Sequence, residues 1–589
     1  MQIYSSILFL LVIFIYSNFY SLKFKIELHK TFLLSIIIII FLGVVYLKYI
    51  YNFNKNNDYF IYLILLIGFC KFFFIKKNLN KVNKLINLEF ILFYLFFFLL
   101  SQDNYFLDQD EFTYWGKKIK NLNDSGDITY FRHHGYSLDI FRYLFIFFKY
   151  NEGLLIFSNN VIIICGFFYL FYNQQSSILK KLLLFFIFTL LINNLSFGFN
   201  SIYSDPILAI LFASALKFIF NQINIQTRDN KVFLFIFCLM FLFVFYNLNR
   251  AAVIYFLFML LMPIYSFNVY KNQRILFTVF NFTSILFLIE HKFQIIQNKV
   301  LKGHYMLEDI IKIIFNEKLL LKFQQLFDLL FTPIYFSSFG ISINTITNYL
   351  FSIDSFLPVF KIYLISYIFF LFFLIYISRL DLKTKNEFFL YYFSLILIYC
   401  LVVIVLKHHL EMLSMLALTR YIGILVLALF LFTISILVQF NKLFSNISYL
   451  TILIIPLFLV TPNKTFGFFV PDKIYYSNKI NLDFKKNRFR IANLNAQSKI
   501  YKEFILIHSK NKSDLTNLNF HGYHTFYHDI ISYEIFPKRY LSFEHEEFKN
   551  KIDHLKFDNK DTLVILFDLN EEEKFFFKKF NNTFEVNTY

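Results

Sequence analysis

The chain has 589 residues, of which 58% are hydrophobic, 22% aromatic and only 16% charged. A soluble protein carries about a quarter charged residues, and blocks such as Phe32 to Tyr46, Phe60 to Ile75 and Val232 to Asn247 are apolar on every face, which a helix tolerates only in a core or a bilayer. The formal charge of +18 is concentrated in short segments between such blocks, in a composition rich in Phe, Ile, Lys and Asn, so nucleic acid is excluded as a partner and membrane lipids are expected.

About fourteen spans are expected, at roughly 3–21, 32–50, 59–75, 86–101, 153–172, 182–199, 204–220, 232–248, 251–269, 275–290, 360–378, 388–406, 419–439 and 448–461, each near the ~20 residues that cross a hydrocarbon layer. The start, Met1-Gln2-Ile3-Tyr4, has no basic region, so the first block reads as a retained span rather than a cleaved signal. Cys70, Cys165, Cys238 and Cys400 each fall inside an apolar block and read as small buried hydrophobes, not as a disulfide framework or a metal site. Lys71 and Lys217 lie near span ends and are expected to snorkel.

Basic residues in short loops stay in the cytoplasm. The run Lys76, Lys77, Lys81 and Lys84 after the third span fixes that side, and alternation then places Lys23, Lys25, Lys30, Lys180, Lys181, Arg228, Lys271, Arg274 and Arg379 on it too. Residues 102–152, 291–359 and the tail from 462 are left outside. The expected fold is therefore an all-α polytopic membrane protein with a small C-terminal α/β domain outside the cytoplasm. Residues 1–85 form N-terminal spans, 86–461 a membrane module with the outer loops 102–152 and 291–359, and 462–589 a connector and the α/β domain. In that tail, Glu503 to His508 and Thr562 to Phe567 read as strands and Asn570 to Phe580 as a charged helix. The expected setting is a bacterial inner membrane with the outer loops facing the periplasm.

The first outer loop carries Asp108-Gln109-Asp110-Glu111-Phe112-Thr113-Tyr114-Trp115-Gly116-Lys117-Lys118-Ile119-Lys120. Crowded carboxylates raise one another's pKa unless a divalent ion or a cationic neighbour offsets them. Such a group can act as a general base on a hydroxyl. The bland alternative is a solvated loop whose acids pair with Lys117, Lys118 and Lys120. Farther on, Arg132-His133-His134-Gly135-Tyr136 precedes an apolar stretch, Leu138 to Phe148, read as a helix lying in the interface. Asp205, before Pro206 at the outer start of the seventh span, is either a site residue or a helix N-cap. Arg250 and Arg420 fall at outer span ends, where arginine is less expected and where a guanidinium suits a phosphate; plain snorkelling is the alternative. Few ionisable residues fall near span centres, which weighs against a pump or proton-coupled transporter.

In order and spacing these phrases resemble the GT-C class of membrane glycosyltransferases, close to the bacterial families related to polyprenyl-phosphate-sugar mannosyltransferases and aminoarabinose transferases. The resemblance rests on Asp110-Glu111 at the start of the first large outer loop, the short segment at His134-Gly135-Tyr136-Ser137, Tyr150-Asn151-Glu152-Gly153 leading into the next span, Tyr203-Ser204-Asp205, and Arg420-Tyr421 opening a late span. The class pattern has prolines at the His134 position and this chain lacks them. The resemblance implies inverting transfer of a sugar from a polyprenyl-phosphate donor to a glycan or lipid acceptor on the outer face. It makes Asp110 the base and Glu111 its assistant, or with Asp110 the holder of a divalent metal, Mg or Mn. Asp205, Arg420, Tyr421, Arg250, Lys117 and His134 become donor- and substrate-binding residues. The alternatives are a polysaccharide polymerase or ligase and a transporter of lipid-linked oligosaccharide.

Overall fold

The structure is a computed structural model. It describes residues 2–24, 26–47, 58–78, 87–102, 106, 115–124, 138–174, 176–195, 199, 202, 204–224, 372, 375–376, 415–440, 503–508, 518–520, 523–525, 533, 539–544, 562–567 and 585–588. The chain divides into two compact units.

The described residues of the first unit are helical. They form α1 (Gln2–Phe24), α2 (Leu28–Val45), α3 (Asp58–Lys77), α4 (Leu88–Ser101), α6 (Asp139–Ile146), α7 (Glu152–Leu170), α8 (Ile178–Leu195), α9 (Asp205–Asn224) and α10 (Met415–Phe440), with α5 (Gly116–Asp124) belonging to the second unit. Among the described residues, four helices are long and apolar enough to cross a membrane: Ile3–Phe24, Leu28–Val45, Asp58–Lys77 and Glu152–Leu170. Shorter apolar helices cover Leu88–Ser101 and Leu427–Gln439. The expected spans at 232–290, 388–406 and 448–461 lie outside the described residues, as does nearly all of 360–378.

The helix starts follow local chemistry. Asn87 accepts from the amide of Phe90 and Asn151 from that of Leu154, so each caps a helix whose first turn also holds a glutamate, Glu89 or Glu152. α7 is the hub, enclosed along nearly its whole length and packed against α2, α4, α6 and α9. By contrast α3 presents Tyr62, Leu66, Phe69 and Phe73 outward, a stripe at helical spacing that suits lipid contact. Cys165 is buried as expected, whereas Cys70 lies on that outward side and is exposed.

Helix ends meet like with like. Lys181 in the first turn of α8 is 2.8 Å from Glu89 in the first turn of α4, and Asn160 of α7 donates to Ser101 at the far end of α4 across 2.9 Å. This is the up-and-down alternation that the loop charges imply. One register is corrected: α8 begins at Ile178, so Lys180 and Lys181 belong to its first turn and not to the preceding loop. Two further corrections concern lysines expected to snorkel. Lys71 is buried, donates to the Tyr20 hydroxyl over 2.7 Å and sits 3.5 Å above the centre of the Tyr16 ring. Lys217 is buried and donates to the carbonyl of Leu170, capping the end of α7.

The second unit contains 105–128 and 470–589. Its described strands are β1 (Glu503–His508), β2 (Leu518–Phe520), β3 (Tyr523–Thr525), β4 (Arg539–Glu544), β5 (Thr562–Phe567) and β6 (Glu585–Thr588). Four of them form a parallel sheet in the order β4-β1-β5-β6. The central pair carries continuous apolar runs in sequence: Phe504-Ile505-Leu506-Ile507 and Leu563-Val564-Ile565-Leu566. β2 and β3 pair antiparallel. The helix expected at 570–580 lies outside the described residues.

Candidate functional site

Of the residues singled out from the sequence, Asp108, Asp110, Glu111, His134 and Arg250 lie outside the described residues. Arg420 and Tyr421 lie in the second turn of α10, which begins five residues before Arg420, and their side chains are also outside the description. Lys117 and Asp205 can be placed.

Lys117 lies on α5, the helix that follows the acid cluster by five residues. Its sequence, Gly-Lys-Lys-Ile-Lys-Asn-Leu-Asn-Asp, looks like a solvated tether, yet no described side chain of α5 is exposed. Ile119 and Leu122 are buried, Asn121 nearly so, and Lys118 is only 2% exposed; Trp115, Lys117 and Lys120 are half-buried. A buried ammonium is tolerated only when paired and hydrogen-bonded. The run after the acids is thus a helix without an exposed described side chain, while the acids expected to pair with Lys117, Lys118 and Lys120 lie outside the described residues. Lys120 donates to the carbonyl of Tyr533 over 2.7 Å, and its ammonium lies 4.7 Å above the centre of that residue's ring. Phe106, two residues before Asp108, meets the same ring edge-on at 5.9 Å.

Asp205 is the first residue of α9 and is 1% exposed. The amide of Leu208 donates to the carbonyl of Ser204, so Ser204 occupies the cap position and Asp205 stands in the first turn, where the free amides of the helix start favour a carboxylate. The N-cap alternative for Asp205 is corrected by that one position.

Beside this helix start is an arginine that the sequence reading passed over. Arg142 is the largest fully buried side chain among the described residues. Its Nε and Nη2 donate to Asn159 Oδ1 over 3.1 and 3.0 Å, Nη2 also donates to the carbonyl of Ile202, and Nη1 is 3.8 Å from Asp139 Oδ1. The guanidinium thus ties α6 to α7 and to the strap entering α9. Ser204 Oγ and Asn160 Oδ1 are enclosed nearby in sequence with no protein hydrogen-bond partner, the condition under which an ordered water or a polar ligand group is accommodated. All eight residues of α6 are buried, with Phe141 and Phe145 against Phe9 of α1 and Phe145 against Phe157 of α7. The stretch 138–148, expected as a helix in the interface, is helical and enclosed over α6, while Phe148 beyond it is exposed. The signal for Arg142 was a polar pair, Asn159-Asn160, inside an otherwise apolar span.

Among the described residues no group of three or more His, Cys, Asp or Glu is arranged to hold a metal ion; Asp110 and Glu111 are not among them. No family model, no curated protein and no solved structure matches the chain.

Proposed function

We propose that this membrane protein is a glycosyltransferase that moves a sugar from a polyprenyl-phosphate donor to a glycan or lipid acceptor at the outer face of a bacterial inner membrane. The acceptor hydroxyl gives its proton to Asp110 as its oxygen attacks the anomeric carbon. The bond from that carbon to the carrier phosphate breaks, and polyprenyl phosphate leaves. Arg420, with Arg250 and Lys117, would neutralise the phosphate as its charge develops, a term that dominates many such transfers. Asp205 orients the donor, and Tyr421 and His134 contact substrate. Three carboxylates in four positions are also a hard-oxygen donor set suited to Mg or Mn; Asp110 and Glu111 would hold such an ion, which would supply charge neutralisation at the phosphate. The tail, with four parallel strands and room between them for crossovers, is proposed as the α/β domain of the module.

The observation that carries this reading is the enclosure of α5. A run of lysines directly after three carboxylates is folded away from water, with Lys118 buried. That places the helix directly following the acid segment inside a built structure, which supports a structured role for this part of the chain. The test is purified protein with labelled polyprenyl-phosphate sugar and candidate acceptors. Acceptor-dependent release of carrier phosphate, abolished in Asp110→Asn, is expected; full transfer by Asp110→Asn overturns the assignment.

A second reading is transport of a lipid-linked oligosaccharide. It draws on Arg142 and Asn159, because charged and polar side chains enclosed in a bundle often mark a pathway. Passage of intact substrate into vesicles without carrier release would favour it.

A further inference from the structure

We infer that the lysine-bearing end of the helical unit binds one anionic phospholipid, its phosphate on the cations of α2, α8 and α9 and an acyl chain along the seam between α4 and α8. The site stands apart from the sugar-transfer reading, toward the opposite end of α9 from Asp205. A single network runs through it. Lys181 donates to both carboxylate oxygens of Glu89 over 2.8 and 3.1 Å, and its ammonium lies 4.7 Å above the centre of the Tyr172 ring. The Tyr172 hydroxyl hydrogen-bonds Glu89 and Asn87, and its ring stands 5.1 Å from that of His29. His29 Nε2 is 3.5 Å from Glu27, which also pairs with Lys30 at 2.6 Å. The charges of Lys30, Lys181 and Lys217 all act on His29. With Lys180 beside Lys181, four ammoniums (Lys30, Lys180, Lys181 and Lys217) stand against two carboxylates (Glu27 and Glu89), an excess of two positive charges. Among the described residues neither Lys180 nor Lys217 pairs with a carboxylate, and Lys217 is buried with the Leu170 carbonyl as its acceptor.

Enclosed positive charge without a counter-ion is costly. A phosphodiester brings one negative charge and oxygens that accept from ammonium groups. Basic pockets between membrane helices on the cytoplasmic side suit such head groups, and the charge rule makes this end the expected cytoplasmic one. What selects a lipid over free phosphate is the apolar path leading from the cations. α4 and α8 both start at this end and are joined first by Glu89 and Lys181, then by Phe93 on Phe185 at 4.6 Å. Phe167 of α7 meets both rings, at 5.8 and 5.2 Å, and floors the seam. Next to these residues in the chain, Leu92 of α4 and Leu182 of α8 are each more than half exposed. Leu88, Leu95 and Leu99 continue that exposure along α4 at helical spacing. A chain laid there gains apolar contact that a free anion cannot use.

The full-length protein in neutral detergent is titrated with phosphatidylglycerol or phosphatidylcholine, and bound lipid is counted by native mass spectrometry. One phosphatidylglycerol per chain is expected, bound at least about tenfold more tightly than phosphatidylcholine, since each lysine near an anionic head group is worth about fivefold. Inorganic phosphate and the chain-free head group glycerophosphoglycerol, each in excess, are expected not to displace it. Lys180→Gln should weaken phosphatidylglycerol about fivefold and leave phosphatidylcholine unchanged. Lys217→Met should weaken it at least as much, but that residue is buried; Lys180 is partly exposed, so its variant keeps the fold and decides alone. Lys77→Gln, exposed at the same end on α3 and outside the network, is expected to bind as the parent does. Equal binding of the two lipids overturns the inference. So does equal weakening by Lys77→Gln and Lys180→Gln, which would show diffuse attraction to the whole end, or no weakening by Lys180→Gln. Displacement by inorganic phosphate or by the chain-free head group also overturns it, because the seam would then hold no chain.

Discussion

Arg142 is the residue whose removal leaves the most behind. Its guanidinium serves Asn159 and the Ile202 carbonyl at once and faces Asp139, all in a site without access to water. Arg142→Ala strands these groups, and breaking a buried charged pair from one side costs about 3–5 kcal/mol. Arg142→Lys keeps the charge and loses the fork, so it should fall between. Thermal unfolding in detergent checks both, and an alanine variant as stable as the parent would refute the tie. At the opposite end, Glu27 is a milder case. Burial pushes its carboxyl up, but the hydrogen bond and charge of Lys30, 2.6 Å away, with the charges of His29 and Lys217, outweigh this and leave it below its ordinary 4.5. A carboxyl lowered on folding adds stability that is present above the unfolded value and lost as pH falls through the folded one. Glu27→Gln should therefore melt below the parent at pH 7, by about 0.2–1 kcal/mol since the pair is well exposed, and the gap should close by pH 3; a gap that persists in acid contradicts the pairing. Of these residues the sequence announced Asp205 and left Arg142 hidden. An arginine in a short amphipathic stretch looks like a surface residue, and only its partner across the fold shows otherwise.

Helix packing turns on a few glycines. A Cβ on Gly153 would run into the carbonyls of Ser101 and Gln102, so the start of α7 lies directly against the end of α4. A Cβ on Gly166 would collide with Ile210 of α9, and one on Gly43 of α2 with Ile140 of α6. At Gly68 of α3 the nearest atom is Tyr16 Cε2 at 3.5 Å, an ordinary contact. Alanine in a helix is favoured over glycine by about 0.8–1 kcal/mol, whereas overpacking costs about 1–3 kcal/mol. Gly68→Ala is thus expected to be neutral or slightly stabilising and Gly153→Ala and Gly166→Ala destabilising, in the same melting assay; equal effects at Gly68 and Gly153 would show that α4 and α7 are not in backbone contact. Apolar blocks made α1 to α4, α7, α9 and α10 legible from the sequence, because a span must be apolar whatever it packs against. α6 was legible as a helix but not as an enclosed one, and the start of α8 was read as loop. In both, charges that suggest surface or loop are absorbed by partners distant in the chain, Asn159 for Arg142 and Glu89 for Lys181.

At the scale of the molecule, everything proposed about chemistry depends on which face the acid segment occupies. Within the helical unit the described helices alternate direction, so the ends bearing Lys77, Glu89 and Lys181 form one side and the end of α4 at Ser101 forms the other. The charge rule makes the lysine-rich side the expected cytoplasmic one, and the proposed transfer requires its donor on the opposite face. Two exposed positions read this out directly: Lys149, just before α7, and Ser177, just before α8. In a variant with the four native cysteines replaced, Lys149→Cys should react with a membrane-impermeant maleimide added to intact spheroplasts, and Ser177→Cys only after permeabilisation. The reverse pattern would put Asp110 and Glu111 in the cytoplasm. Asp205 would move with them, because it starts α9 at the same end as Asn151 caps α7. The helical packing would be untouched by that result, but the transfer reaction would have lost the face on which its donor is used, and both the base and the residues assigned to the carrier phosphate would need another role.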